Sequence, residues 1–278
     1  MREIYITKAG GSRELFNTEK LINSLKHAGA DNVVAEGIAN HIGGEIKDGM
    51  STHEIYSHAF YLLHKKQKPF ALKYSLRRSL IGFGPTGFPF EKFIGEIWKK
   101  RGYNVLVDQI VRGLCTAHEI DVVAWNENKL VMTEVKFHNQ LGVKSDLKVS
   151  LYVKARYEDL EDAAFNYGKE RKLDEGYLVT NTKFTTSAIE YARCRGLRMI
   201  GWNYPEKGNL QDMIEDSGLH PLTCLTTLNI AEKRSLMDKG VVLCNGFENN
   251  VNHLEELGIK RDRIGQIIDE AKIICPVI

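Results

Sequence analysis

The chain opens on strand-like alternation and soon changes to helical periods. Ile4 to Lys8 alternates apolar and polar residues, Glu14 to Phe16 does so again, and Ala9-Gly10-Gly11-Ser12 between them supplies glycines that accept positive φ. A short hairpin is predicted. Leu21, Ile22, Leu25 and Ala28 share one helical face, and Val34, Ile38, Ile42 and Ile46 recur every four residues. Ser51-Thr52-His53-Glu54 has the form of a capping box opening a helix with Ile55, Ala59, Leu62 and Leu63. A fourth helix, rich in Lys and Arg, is expected over 71–81. Residues 1–82 therefore read as one small, mostly helical domain. The run from Gly82 to Pro89 formally fits G-x-G-x-x-G, but a dinucleotide fingerprint needs a strand before it and a clean helix start after it. Here a helix precedes and two prolines interrupt, so 83–89 is read as a linker.

From Phe90 the pattern changes. Phe90, Phe93, Ile94, Ile97 and Trp98 form a helical stripe, Gly102-Tyr103 leads into a strand through Val105 and Val107, and strands are predicted at His118–Trp125 and Leu130–Phe137. A helix from Leu151 to Tyr167, a strand Tyr177–Thr180, a helix Thr186–Arg195 and a strand Leu197–Trp202 follow. The expected fold class is α/β, with a mixed sheet flanked by helices over 90–205. Residues 220–278 read as a helical C-terminal domain in which Gly240 and Gly258 close helices.

Composition narrows the class. With 43% hydrophobic and 27% charged residues in 278, the chain is neither disordered, collagenous nor a disulfide scaffold. No apolar run approaches a membrane span, and no signal-like apolar stretch follows Met1, so a cytoplasmic protein without a membrane partner is expected. The five cysteines are widely spaced and never C-x-x-C, which favours buried thiols over a disulfide framework or a zinc knuckle. A net charge of +2 points to no polyanion, but Lys65 to Arg101 holds ten basic residues against Glu91 and Glu96. That surplus can face phosphates or coat solvated helix faces.

Asp121, Glu134 and Lys136 carry the most chemistry. Alternation places Glu134 and Lys136 on one face of their strand with Leu130 and Met132. If Asn126–Lys129 is the hairpin loop, Trp125 pairs with Leu130, and counting back sets Asp121 opposite Glu134. Two close carboxylates repel unless a cation lies between them, and Mg²⁺ suits an all-oxygen set completed by water and phosphate. Lys136 would then polarise the attacking water. A cross-strand ion pair on a surface hairpin is the plainer alternative. His118 and His138 flank the group as hydrogen-bonding neighbours, and Arg156 is either a phosphate contact or a solvated helix residue.

In the order Phe90-Glu91, Gly102-Tyr103, Glu119-Ile120-Asp121 and Glu134-Val135-Lys136, residues 88–202 resemble the PD-(D/E)xK nucleases of the Mrr restriction-endonuclease type. The resemblance implies a restriction-endonuclease-like sheet, Asp121 and Glu134 as ligands of Mg²⁺ or Mn²⁺, Lys136 as the catalytic lysine and Glu91 as an auxiliary acid. Ile120 replaces the family's proline. Residues 3–82, through Ile6-Thr7-Lys8, Gly11, Glu14, Phe16-Asn17, Lys20-Leu21 and Ser51-Thr52-His53-Glu54-Ile55, resemble the ATP-cone domain of ribonucleotide reductases and their repressors. That implies ATP or dATP as a regulatory ligand, Lys8 and Lys20 on phosphates, Glu14 and Asn17 on base or sugar, and Thr52 on either. Lys8 on a strand and Lys20 at a helix start also make physical sense as an anion site. With no Walker A sequence, ATP is expected to be sensed rather than consumed. The last segment is similar to helix-hairpin-helix modules, with a packing or dimerisation bundle as the alternative.

The expected function is a nucleotide-regulated, Mg²⁺-dependent endonuclease acting on DNA, working as a homo-oligomer. A nucleotide-sensing DNA-binding regulator with an inactive nuclease fold and an ATP-controlled oligomerisation module are the alternatives.

Overall fold

The protein is described by a computed structural model over residues 3–8, 11–247 and 251–274. Strands β1 (Tyr5–Thr7) and β2 (Arg13–Leu15) pair antiparallel, with Ile6 opposite Glu14. Ala9 and Gly10 of the expected turn lie outside the described residues. Helices α1 (Thr18–His27), α2 (Asn32–Glu45), α3 (Thr52–Lys66) and α4 (Lys68–Tyr74) follow. Each of the first three starts where a short polar side chain accepts an orphan backbone N–H: Asn17 from Lys20, Asp31 from Val34, and Ser51 from Glu54 in a complete capping box. Leu25, Ala35, Ile38, Ile42, Ala59 and Leu63 close a core among them.

The helix expected over 71–81 is two helices, α4 and α5 (Leu76–Ile81). The halves serve different cores. Ala71 packs with the N-terminal helices, whereas Leu76 and Leu80 join Phe83 in the core beneath the large sheet.

The rest of the chain alternates helices and strands: α6 (Phe88–Lys100), β3 (Asn104–Arg112), β4 (Ala117–Trp125), β5 (Leu130–Lys136), β6 (Lys144–Ser145), α7 (Leu147–Glu161), β7 (Phe165–Asn166), β8 (Glu170–Arg171), β9 (Glu175–Thr180), β10 (Lys183–Phe184), α8 (Thr186–Arg195), β11 (Arg198–Ile200) and α9 (Leu210–Ser217). After a 3-10 turn at Leu222–Cys224 come α10 (Ile230–Asp238), α11 (Asn252–Glu255) and α12 (Arg261–Ile274). The class is mixed α/β. A five-stranded sheet in the order β11-β9-β5-β4-β3 is antiparallel over β3, β4 and β5 and parallel over β5, β9 and β11. Helix α7 begins earlier than expected because Asp146 caps it, and it stops at Glu161, before β7 and β8.

One sheet face (Val122, Ala124, Val131, Val135, Val179) packs on Phe90, Phe93 and Ile97 of α6, with α9, α10 and α12 completing the same core. The other face (Ile120, Val123, Leu130, Met132, Leu178) packs on Val153, Tyr157 and Leu160 of α7 and on Ala188 and Ala192 of α8. The C-terminal helices thus form a packing layer, and Thr223 Oγ1 ties them to α5 by donating to the Ser79 carbonyl at 2.6 Å. Deeper in that layer, the buried Glu270 carboxylate accepts from both backbone N–H groups and both hydroxyls of Thr226 and Thr227. Cys224 is a buried free thiol as expected, but Cys244 is disulfide-bonded, and Cys115 and Cys194 are exposed. Among the described residues no helix is long and apolar enough to cross a membrane.

Tyr157 joins strands β5 and β9. Its hydroxyl accepts from Glu134 N at 2.9 Å and donates to the Tyr177 carbonyl at 2.7 Å, a link made possible because Gly176 has no side chain. A Cβ on Gly176 would meet the Tyr157 ring at 2.5 Å. Tyr157→Phe leaves the Glu134 N–H buried without its acceptor, so an unfolding free energy lower by about 1–3 kcal/mol is expected from urea titration. A loss below about 0.5 kcal/mol would show the link to be dispensable.

Candidate active site

The hairpin between β4 and β5 folds as its sequence suggests. Asn126 Oδ1 accepts the N–H groups of Asn128 and Lys129, each at 2.9 Å, which closes the loop and sets Trp125 opposite Leu130. The ladder ends at Val122 opposite Thr133, and just beyond it Asp121 and Glu134 lie within electrostatic reach of each other. The pleat changes face here. Val122 and Ala124 look toward α6, yet Ile120, of the same parity, packs toward α7. On β3 the reversal coincides with Asp108, the one non-glycine residue at positive φ (55°) among the described residues. The side chain of Asp121 turns back across the strand end, and its Oδ2 accepts from Val135 N at 2.6 Å.

Glu134 is buried on the α7 side. Tyr152 donates to its Oε1 and Arg156 to its Oε2, while the same Arg156 nitrogen also reaches the Glu119 carbonyl at 3.0 Å. Arg156 is therefore an ion-pair partner of Glu134 rather than a solvated residue. Glu91, in the first turn of α6, lies close enough to Gly87 that a Cβ there would sit 2.9 Å from its Oε1.

The electrostatics report a crowded set of acids. Burial, then the charges of Asp108, Glu119 and Glu134, push the Glu91 carboxyl up to about 7. Asp121 is likewise pushed up to about 7, by burial first and Glu134 next, against the opposing Val135 N–H. Asp108 and Glu119 thus join the acids named from sequence. Asp108 was signalled by a charge inside an apolar strand; Tyr152 and Arg156 sit one helical turn apart on α7, which only the tertiary structure turns toward Glu134.

Lys136 ends β5, paired in parallel with Thr180, whose hydroxyl donates to the Lys136 carbonyl at 2.7 Å. Its ammonium makes no ion pair or hydrogen bond among the described residues, and its charge, after burial, helps hold the His138 imidazole below its ordinary range. His138 bonds Ser145 Oγ at 3.0 Å and His118 bonds Asp159 at 2.7 Å. Both histidines are anchored by neighbours.

For metals, the donor set at Asp121, Glu134 and Glu91 is all oxygen, the chemistry of Mg²⁺ or Mn²⁺. The three acids sense one another without converging tightly. Among the described residues one group has all its ligand atoms within 4.8 Å of one another, the exposed His41 and Glu45 and the half-buried His58 of α2 and α3. Its nitrogen-rich set is of another kind.

The second group of sequence candidates lies in the N-terminal helices. Thr7 N donates to the Met50 carbonyl at 3.0 Å, which seats β1 against the start of α3 and brings Lys8 and Thr52 to one cavity of about 480 Å³. Asn17 is spent on capping α1. Glu14 accepts from Lys20 at 2.5 Å and pairs with Lys8, and these bonds, Lys20's first, hold its carboxyl down at about 2. A neighbouring cavity of about 360 Å³ is lined by Thr52, Tyr56, Tyr74, Arg77 and Arg78. Tyr56 and Tyr74 stack with centroids 5.1 Å apart, and the Arg78 guanidinium lies 3.8 Å over Tyr56. The sheet lobe supplies the far wall, with Leu141 in both cavities, Gln140 in the larger and Trp202 in the smaller. Sequence periodicity carries no signal for such a cleft between lobes.

Residues 220–275 match the family model described as AF1548-like, C-terminal. An uncharacterized protein of Archaeoglobus fulgidus is 33% identical over 180 residues, covering 64% of this chain and 98% of that protein. The crystal structure of AF1548, a protein of unknown function, has 32% identity and a TM-score of 0.54, covering 68% of this chain and 98% of that one. With nearly the whole of such a relative spanned, the chain belongs to the AF1548-like family.

Proposed function

We propose that the protein is a Mg²⁺-dependent endonuclease acting on DNA, with a restriction-endonuclease-like sheet lobe under the control of an adenine nucleotide held by an ATP-cone-like N-terminal unit. The observation that carries the nuclease reading lies just past the end of the β4–β5 ladder, where Asp121 and Glu134 are within electrostatic reach of each other and Lys136 lies one alternation beyond Glu134. A bound Mg²⁺ would supply charge to polarise a phosphate oxygen and a coordinated water. Asp121 and Glu134 would hold it, with Glu91 as a further acid within electrostatic reach. Lys136, with no ion-pair partner among the described residues, would orient water and offset charge on the scissile phosphate. Arg156 would be released from Glu134 to meet that phosphate. The stacked tyrosines, Arg78 and Lys8 support the nucleotide half of the reading.

Supercoiled plasmid incubated with the protein, Mg²⁺ or Mn²⁺, and ATP or dATP is expected to be nicked, and EDTA to stop it. Intact plasmid under every combination would end the nuclease reading. One observation favours a second reading, a nucleotide-sensing DNA-binding regulator: Tyr152 and Arg156 already occupy both Glu134 oxygens. Plasmid retarded but never nicked would select it.

A further inference from the structure

The cleft between the lobes has an excess of cations that its N-terminal residues do not explain. Lys144 and Lys183 are direct partners on the short parallel pair β6–β10 of the sheet lobe. They are tied to the cleft at both ends: Leu141, three residues before Lys144, lines both cavities, and Trp202 donates its backbone N–H to the Thr182 carbonyl at 2.7 Å, next to Lys183. Burial, then the charges of Arg77, Lys144, Lys8 and Lys20, hold the Lys183 ammonium below its ordinary range, so cations of both lobes lie within electrostatic reach of one another, with Lys144 and Lys183 beside the walls of the two cavities rather than in them. Glu14 is the acid paired among them, and it is taken up by Lys8 and Lys20. Arg77, Lys144 and Lys183 make no ion pair among the described residues, and the buried Nε of Arg77 has no hydrogen-bond partner.

Five cations within electrostatic reach, of which Glu14 pairs with two, leave an excess of positive charge that a polyanion would complete. The shape of the site selects which one. Cavities of about 360 and 480 Å³, walled by both lobes, are of a size for a nucleotide, whereas a duplex needs an open track. We propose that Lys144 and Lys183 complete a nucleoside-triphosphate site shared by the two lobes, the base end toward Tyr56 and Tyr74 and the phosphate chain across the cations. The proposal rests on the nucleotide half of the function proposed above and is independent of the nuclease half.

Such a ligand touches the catalytic strand end through short covalent paths. Residues 137–143 join Lys136 to Lys144, and Thr180, bonded to the Lys136 carbonyl, is three residues from Lys183. Nucleotide occupancy would therefore bear on the position of Lys136 within one chain, without a change of oligomeric state.

Calorimetry on the full chain tests the site with ATP, with adenosine, and with inorganic tripolyphosphate as competitor. The double variant Lys144→Gln, Lys183→Gln is expected to bind ATP about tenfold or more weakly, since charge-assisted contacts to phosphate are lost. Adenosine should bind both proteins alike, and Lys144→Arg with Lys183→Arg should retain ATP. Equal ATP affinity of the wild type and the glutamine variant overturns the proposal. So does a wild type that ignores ATP but binds a short duplex through Lys144 and Lys183, which would make the cluster a DNA track. If the glutamine variant unfolds, competition on the wild type decides: tripolyphosphate that displaces ATP supports the site, and failure to displace it refutes the site. Because the readout is binding, a protein that cleaves no plasmid fails the nuclease reading and leaves this one standing.

Discussion

Lys136→Ala is expected to lose about a hundredfold or more of plasmid nicking while duplex binding persists. The backbone at this position is fixed by groups the substitution leaves alone, the parallel pairing with Thr180 and the Thr180 hydroxyl on the Lys136 carbonyl. The side chain has no hydrogen-bond or ion-pair partner among the described residues, so its removal breaks no polar link of the fold. A loss of turnover without a loss of stability would thus report chemistry. Undiminished nicking by the alanine variant would remove Lys136 from the mechanism.

Asp121→Asn and Glu134→Gln should both weaken Mg²⁺ binding by at least about tenfold in calorimetry, since a neutral amide keeps the shape and forfeits the charge. Their effects on stability should have opposite signs. Asp121 is a half-buried carboxyl disfavoured by partial burial and by Glu134, so the asparagine variant relieves repulsion and should melt higher. Glu134 is the ion-pair partner of Arg156, and the glutamine variant leaves that guanidinium against a neutral group, so it should melt lower. Each change is of the order of 1–2 kcal/mol, about 2–8 °C for a chain of this kind. Wild-type Mg²⁺ affinity in both variants would refute the metal assignment, and stability shifts of one sign would refute this account of the charges.

The legible parts of the molecule were those fixed by local chemistry. Ser51 announces a helix start because a cap is a contact within one turn, and the Asn126–Lys129 loop sets the β4–β5 register because a short loop leaves little choice, whereas Asn17, expected on a base or sugar, and Asp31 turn out to be caps as well. That register is what brought Asp121 and Glu134 together on paper. The boundary inside 71–81 was not legible, because periodicity cannot say that Ala71 and Leu76 belong to different cores. Nor were β6 and β10, each a pair of residues held by a distant partner. The reversal at Asp108 and the turn of Tyr152 and Arg156 onto Glu134 depend on sheet twist and helix packing, where sequence neighbours carry no information.

The shared core under the sheet also bears on how the molecule is made. Phe90, Phe93 and Ile97 of α6 and the sheet residues above them share one cluster with Leu236, Ile264 and Ile267, more than 130 positions later in the chain. A ribosome adding about 5–20 residues per second would hold that apolar surface uncovered for roughly 10–35 seconds until the final helix emerges. The N-terminal helices, whose core is drawn from residues 6–71, can close long before then. Biogenesis of this chain therefore has an early, self-sufficient stage and a late one, and the interval between them is when a chaperone would find its binding surface.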